Sequence, residues 1–486
     1  MFVRDKLFIG GDWVSPSGAG RIEVVSASTE ELIGRVPDGT AADIDAAVRA
    51  ARAAFDSGPW PHMEPAERAK ILAALSENIK TRFMEFAQLI TGENGTTIQF
   101  SMMGQALGAA MVVDYFADLA DSVVFEEERI GLTGASLVRR APVGVVGVIV
   151  PWNAPLILAL NKVAPALLMG CTCVVKPAPE TPLDAYVLAE CLADAGLPPG
   201  VVNIVAAGRE AGEHLVVHPG IDKISFTGST QAGKRIAGLC GERVRRVTLE
   251  LGGKSAAIVC DDADLETTVP ALVPAGMMIN GQACAAQTRI LAPRSRYGEL
   301  VDALGDAVSR LKVGDPYDDS TDVGPLVADR QRARVEGYIA SGRSEGARVV
   351  TGGGRPAGLD RGWYVEPTLF ADVHNEMRIA REEIFGPVVC VMPYDTVDEA
   401  VAIANDSPYG LSGSVWSADA TRALDIARRI RTGTSTVNGW RWDFNCPFGG
   451  FKESGLGREG GPEGLEAYCE YQTISLPSPL AELTAT

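Results

Sequence analysis

The chain has 486 residues, more than one ordinary core accommodates, so two or three domains are expected. Hydrophobic residues make up 46% and charged residues 22%, the balance of a soluble globular protein. Lys plus Arg number 44 against 62 Asp plus Glu, a net charge of -18 that repels nucleic-acid phosphates and anionic membranes and argues against both as partners.

In chain order, the first residues, Met1 to Lys6, carry no apolar signal core. No later apolar stretch is long enough to cross a bilayer, so a cytoplasmic protein with no membrane partner is expected. Ala41–Phe55 is rich in Ala and predicts a helix, and Pro65–Phe86 predicts a second, amphipathic one. Ser122–Pro142 runs from charge into alternation, the pattern of a hairpin. Gly144–Val150 then predicts a buried strand, Leu156–Met169 a helix, Thr172–Lys176 a strand and Pro182–Ala195 a helix. Val201–Val205, Lys223–Thr227 and Ser255–Val259 continue the strand series. This order argues for an α/β protein with a parallel, doubly wound sheet. A second α/β segment runs from about Ala263 to Ser454, with strand patterns at Arg289–Ala292 and Val388–Met392 and a helix at Tyr297–Leu311. The tail Ala467–Leu476 reads as a lone strand, which invites pairing with another subunit.

Nine cysteines contain no Cys-x-x-Cys pair, and Cys171 and Cys173 are separated by a single residue, an unsuitable zinc spacing. Reduced thiols and no metal site are expected, with eight of the nine acting as small buried hydrophobes. The candidate exception is Cys284 in Asn280-Gly-Gln-Ala-Cys284, where a glycine allows close backbone approach and an exposed thiol, though on spacing alone an ordinary buried cysteine fits better. A nucleophilic cysteine needs a base. The four histidines, His62, His214, His218 and His374, have no fitting context, which disfavours a cysteine hydrolase. Glu250 in Leu249-Glu-Leu-Gly-Gly-Lys-Ser255 is a carboxylate in an apolar, glycine-rich stretch, suited to a raised pKa and general-base work or, equally, to a turn. Asn153 in Pro151-Trp-Asn-Ala-Pro155 follows an apolar run and offers an amide to an oxyanion, though a plain turn asparagine fits the same pattern. Gly455-Leu-Gly-Arg-Glu-Gly460 matches a dinucleotide fingerprint as a bare pattern but follows no strand and is rejected as the nucleotide site. Gly228-Ser-Thr-Gln-Ala-Gly-Lys234 follows the strand Lys223–Thr227 and nearly fits a P-loop. Arg235 stands where that motif needs Ser or Thr, leaving a strand–turn–helix able to receive a phosphate.

Taken together, these segments resemble the aldehyde dehydrogenase family. The resemblance extends from Leu7-Phe-Ile-Gly-Gly-Asp-Trp13 to the final strand. It rests on an ordered set: Pro151–Pro155, Lys176-Pro-Ala-Pro-Glu180, Phe226-Thr-Gly-Ser229, Glu250-Leu-Gly-Gly, Cys284, Glu383-Ile-Phe-Gly-Pro and Pro447-Phe-Gly-Gly-Phe451. It implies two doubly wound α/β domains and a small β oligomerisation arm. Residues 1–121 and 143–250 would bind NAD(P), 251–454 would form the catalytic domain, and 122–142 with 467–486 would bridge subunits of a homodimer or homotetramer.

The resemblance also implies a chemistry. Cys284 would attack the aldehyde to give a thiohemiacetal, with Asn153 and the Cys284 N–H holding the oxyanion. Loss of hydride would leave a thioester, which Glu250 would hydrolyse through water. Lys162 and Glu459 would support the proton path. Pro151, Trp152, Lys176, Gly208, Gly212, Phe226, Gly228, Ser229, Leu251, Gly252, Glu383 and Phe385 would contact the cofactor. Ala154, Leu158, Asn161, Trp442 and Phe448 would line the substrate pocket, with Trp440 either beside them or packing elsewhere. NAD is the expected cofactor. NADP stays open because Pro179 stands where the family often has a glutamate that repels a 2′-phosphate. The tunnel positions Ala154 and Asn161, often aromatic in the family, hint at a bulkier or functionalised aldehyde. Two other readings remain: a CoA-acylating relative, against which Glu250 argues, and a non-catalytic member, against which the retained Cys284, Glu250 and Asn153 argue.

Overall fold

The computed structural model describes residues 1–483. Its largest sheet has eight strands, in the spatial order Gly455–Leu456, Arg246–Glu250, Lys223–Thr227, Val145–Ile149, Thr172–Lys176, Val202–Ile204, Leu7–Ile9 and Asp12–Val14. The five strands from Arg246–Glu250 to Val202–Ile204 are parallel, and the outer three are antiparallel additions. Helices cover both faces, so these strands are near-continuous apolar runs. Side-chain alternation divides them between two cores: Val146, Val148, Cys173 and Val175 enter one, and Val145, Ile149 and Val174 the other.

The strand order reverses at Val145–Ile149. From there the chain builds outward first through Thr172–Lys176 and Val202–Ile204, then on the other side through Lys223–Thr227 and Arg246–Glu250. Such a switch point opens a crevice beyond the carboxyl ends of the strands. Asn153, Lys176, Gly228 and Glu250 all stand at or just beyond those ends.

A second sheet of seven strands is ordered Arg348–Thr351, Thr368–Ala371, Val388–Tyr394, Arg289–Pro293, Ala256–Val259, Gly413–Trp416 and Thr436–Val437, with only the first antiparallel. It has its own pair of cores. The two large sheets bear out the doubly wound α/β expectation.

Several details differ from the sequence reading. Pro65–Phe86 is not one helix but two, Pro65–Thr81 and Phe83–Asn94. Arg82 leaves helical geometry (φ -106°, ψ 14°), and its guanidinium is held by Glu85 and Glu190. The tail strand is not alone: Cys469–Leu476 pairs antiparallel, residue for residue, with Gly134–Pro142 of the same chain, which also pairs with Glu126–Gly131. No local signal connects segments so distant in sequence. The tail residues 484–486, part of the expected bridging segment, lie outside the described residues. Seven cysteines rather than eight are buried beside the half-buried Cys284, because Cys446 is exposed in the irregular loop before Phe448. The Gly455 motif opens with a two-residue edge strand, Gly455–Leu456, with Leu456 opposite Leu249. The helical run from Ile98 to Leu119, with a π-helical stretch at Ser101–Leu107, had no expectation attached.

Candidate active site

Glu250 ends its strand, and its carboxylate is 3% exposed with neither oxygen hydrogen-bonded. The space beside it is kept by Gly449, where a Cβ would come within 2.6 Å of Oε1. Burial, then the negative charge of Glu459, raises the Glu250 carboxyl well above the usual range, opposed by Lys162. Lys162 is fully buried on the helix Pro155–Met169, and its Nζ donates to Glu459 Oε1 at 2.7 Å and Thr227 Oγ1 at 2.6 Å.

Cys284 lies on a loop whose shape is costly. Ile279, Asn280 and Gly281 are consecutive left-handed residues (φ 51°, 56° and 75°), a conformation a β-branched side chain rarely adopts. Asn280 anchors it by donating to Gly95 O and Pro325 O, both at 2.8 Å, and accepting from Gly324 N at 2.7 Å. The loop is pressed onto the Glu250 turn, since a Cβ on Gly253 would collide with the Cys284 carbonyl. The thiol is pushed up to about 12 by burial and by the charges of Glu383 and Glu250. No histidine is among the groups that shift it, and His214 and His218 are both engaged by Asp45.

Asn153 sits in the turn before the Pro155–Met169 helix, 6% exposed, and its Nδ2 donates to Gln282 O at 2.8 Å. Its carbonyl accepts from Asn94 at 3.0 Å and Gln105 at 3.2 Å. Asn94, Gln105 and Gln282 thus brace the site, and the sequence reading missed all three. Gln105 belongs to the unexpected π-helical stretch, a distortion often found at functional sites.

The crevice continues to Glu383, whose Oε1 accepts from Gly253 N at 3.1 Å and whose carboxyl burial raises to about 7. Gly252 is obligatory there, because a Cβ would strike the Glu383 carboxylate. Phe385, left-handed at φ 63°, meets Trp152 edge-to-face at 5.3 Å, joining the two sheets across the crevice. Pro151 opens the turn that carries Trp152. Phe226 and Leu251 are buried in the core beneath. On the far side, Ser229 caps the helix Thr230–Gly241 and Gly228 lies against the Phe226 ring, leaving no room for a side chain. Lys176 Nζ donates to Pro177 O and Ala207 O, which leaves one N–H free, and its stem fills the space over Gly212. Burial lowers its ammonium to about 8. Gly208 N is held by Asp38 at 3.1 Å. Glu180 turns away to Arg330.

Among the residues expected to line the substrate pocket, Ala154 belongs to the core and Leu158 and Trp442 pack half-buried against it, with Trp442 and Phe448 rings 5.6 Å apart. Asn161 is 2% exposed. Trp440 makes none of the ring contacts found among the described residues.

A family model described as "Aldehyde dehydrogenase family" matches residues 13–474.

The chain belongs to the aldehyde dehydrogenase family.

It is 50% identical over 474 residues to the geranial dehydrogenase of Castellaniella defragrans, covering 97% of this chain and 99% of that protein. It is 43% identical to a 3-succinoylsemialdehyde-pyridine dehydrogenase of Pseudomonas sp., covering 96% and 98%. Among solved structures it is similar to a Mycobacterium tuberculosis aldehyde dehydrogenase complexed with NAD+, at 52% identity and TM-score 0.97 over 98% of this chain and 99% of that one. It also matches a Pseudomonas syringae enzyme in complex with NAD+ and octanal, at 43% identity and TM-score 0.95 over 98% of each chain.

This aldehyde dehydrogenase oxidises an aldehyde with NAD as acceptor. The residues present fit that cofactor: a capped helix N-terminus, a side-chain-free floor at Gly228 and a buried carboxylate and lysine at the two ends of the crevice. Nothing supports a CoA-acylating reaction. Among the described residues no helix is long and apolar enough to cross a membrane.

Proposed function

We propose that Cys284 is the nucleophile, Asn153 and the Cys284 N–H the oxyanion donors, and Glu250 the base that hydrolyses the acyl-enzyme. The observation that carries this is the convergence of the three on one water-poor region. The Asn153 amide meets the carbonyl of Gln282, two residues before the thiol, and the Glu250 turn touches the Cys284 carbonyl. The raised thiol stays neutral until a base acts. The Cys284 proton passes to solvent water as the sulfur adds to the aldehyde carbon, so the unpaired Glu250 carboxylate stays free for the later step. The carbonyl oxygen gains charge where the amide N–H groups can receive it. Bound NAD supplies the hydride acceptor. Glu250 then removes a proton from water attacking the thioester, and the Lys162–Glu459 pair holds the next proton position.

In this reading residues 1–121 and 143–250 form the cofactor domain and 251–454 the catalytic domain. Lys176 and Glu383 hold the two riboses, and Gly208, Gly212, Gly228 and Ser229 line the adenine and pyrophosphate sites. Pro151, Trp152, Phe226, Leu251, Gly252 and Phe385 shape the crevice between them. Ala154, Leu158, Asn161, Trp442 and Phe448 enclose the aldehyde chain. The neutral Pro179 leaves NADP as a second acceptor to be assayed beside NAD. The outer edge of Cys469–Leu476 is unpaired among the described residues, and Ile130, Tyr471 and Ile474 are exposed on this arm, which supports a homodimer or homotetramer built by sheet extension. Light scattering giving a monomer at working concentration would remove that assembly.

The test of the chemistry is Cys284→Ala. NADH formation from any aldehyde should vanish while NAD still quenches tryptophan fluorescence. Residual turnover comparable to the parent would reject Cys284 as nucleophile.

A further inference from the structure

The helix Pro155–Met169 is buried along its whole length except at Leu158. At that gap Leu158 is half-buried, as are Ala283, the neighbour of Cys284, and Trp442 and Phe444, all packed against one core. Asn161 lies one turn beyond Leu158 on the same side, by helical spacing. It is 98% buried by its 2% exposure, yet its Nδ2 has no hydrogen-bond partner among the described residues. Its neighbours are otherwise accounted for: Ile157 packs toward Gly108, and Lys162 is tied to Thr227 and Glu459. A buried donor left unsatisfied costs about 1–3 kcal/mol, and such a group calls for a specific explanation.

The missing partner must be an acceptor. A carboxylate suits poorly, because a buried charge is costly unless paired, and the one cation on this helix, Lys162, is already held by Glu459 and Thr227. A neutral oxygen meets no such opposition. We infer that Asn161 Nδ2 recognises a neutral oxygen, keto or hydroxyl, on the chain of the aldehyde, so that oxygenated aldehydes are preferred over plain hydrocarbon ones. This rests on aldehyde oxidation at Cys284 and adds a substrate class to it.

The test compares NADH formation from hexanal, its mono-oxo and monohydroxy derivatives, and the anionic adipate semialdehyde. For the parent enzyme, kcat/KM for the best neutral oxygenated member should exceed that for hexanal by about ten-fold or more, with the semialdehyde below that member. Asn161→Leu and Asn161→Ala should each bring the oxygenated-to-hexanal ratio to within about two-fold of unity, and the loss should fall mainly in KM. Two variants are used so that one poorly folded protein does not decide the outcome, and the ratio is independent of how much protein is active. A ratio unchanged in both variants, or hexanal as the best substrate of the parent, would overturn the assignment. No NADH from any aldehyde would overturn it together with the reaction it rests on.

Discussion

Lys162 and Glu459, far apart in sequence, form an ion pair of 2.7 Å with side chains only 0% and 3% exposed. Removing one partner strands a charge where water cannot reach it. Lys162→Met should therefore destabilise the protein by about 3–5 kcal/mol, measured by denaturant unfolding. Lys162→Met combined with Glu459→Gln should recover a large part of that loss. If the double variant is as unstable as the sum of the single ones, the pair is not coupled as described.

Glu250→Gln keeps the shape beside Gly449 but removes the proposed base. A stoichiometric burst of NADH should survive, followed by steady turnover slower by about 10²–10⁴-fold. Rapid-quench measurement of the acyl-enzyme separates the two phases. An unchanged steady rate would deny Glu250 its role in hydrolysis.

Asn153→Ala removes the amide that borders the thiol loop. The expected loss is about 10²–10³ in kcat, with KM for the aldehyde little altered. A change confined to KM would make Asn153 a contact for the ground state only.

The carboxyls give the pH behaviour a definite sign. Burial raises Glu250 well above its ordinary value and Glu383 to about 7, so both must lose protons before acting. Activity should rise as pH increases through neutrality, and Glu383→Gln should remove the part of NAD affinity that is lost below about 7. Asp184, also buried, is raised to about 7. A group raised in the folded state gives stability present at low pH and lost as pH climbs through its folded value. The melting temperature should thus fall between mildly acidic and mildly alkaline buffer, and Asp184→Asn should flatten that slope. Scanning calorimetry across this range checks the direction.

Much of the large sheet could be read from the chain because parallel strands buried on both faces leave short apolar runs, as at Val145–Ile149 and Thr172–Lys176. The helix break at Arg82 could not, since it follows from ion pairs to Glu85 and to the distant Glu190. The pairing of the tail strand with Gly134–Pro142 escaped for the same reason: register across such a separation leaves no local trace. At the site, Cys284, Glu250 and Asn153 stood out only as an ordered set, because each alone has an ordinary explanation. Their supports were harder to find. Asn280 had one signal, an Asn-Gly step tolerant of left-handed backbone. Gln105 had none, since nothing in Ser101–Leu107 announces a π-helical turn.

The short strand Gly455–Leu456 completes the sheet begun at Leu7, and Glu459 follows three residues later. During synthesis, then, the neighbourhood of Glu250 stays open to water until residues 455–459 have left the ribosome. Lys162 waits meanwhile without its counter-ion. A nascent enzyme halted anywhere before that point should hold Cys284 and Glu250 yet turn over nothing.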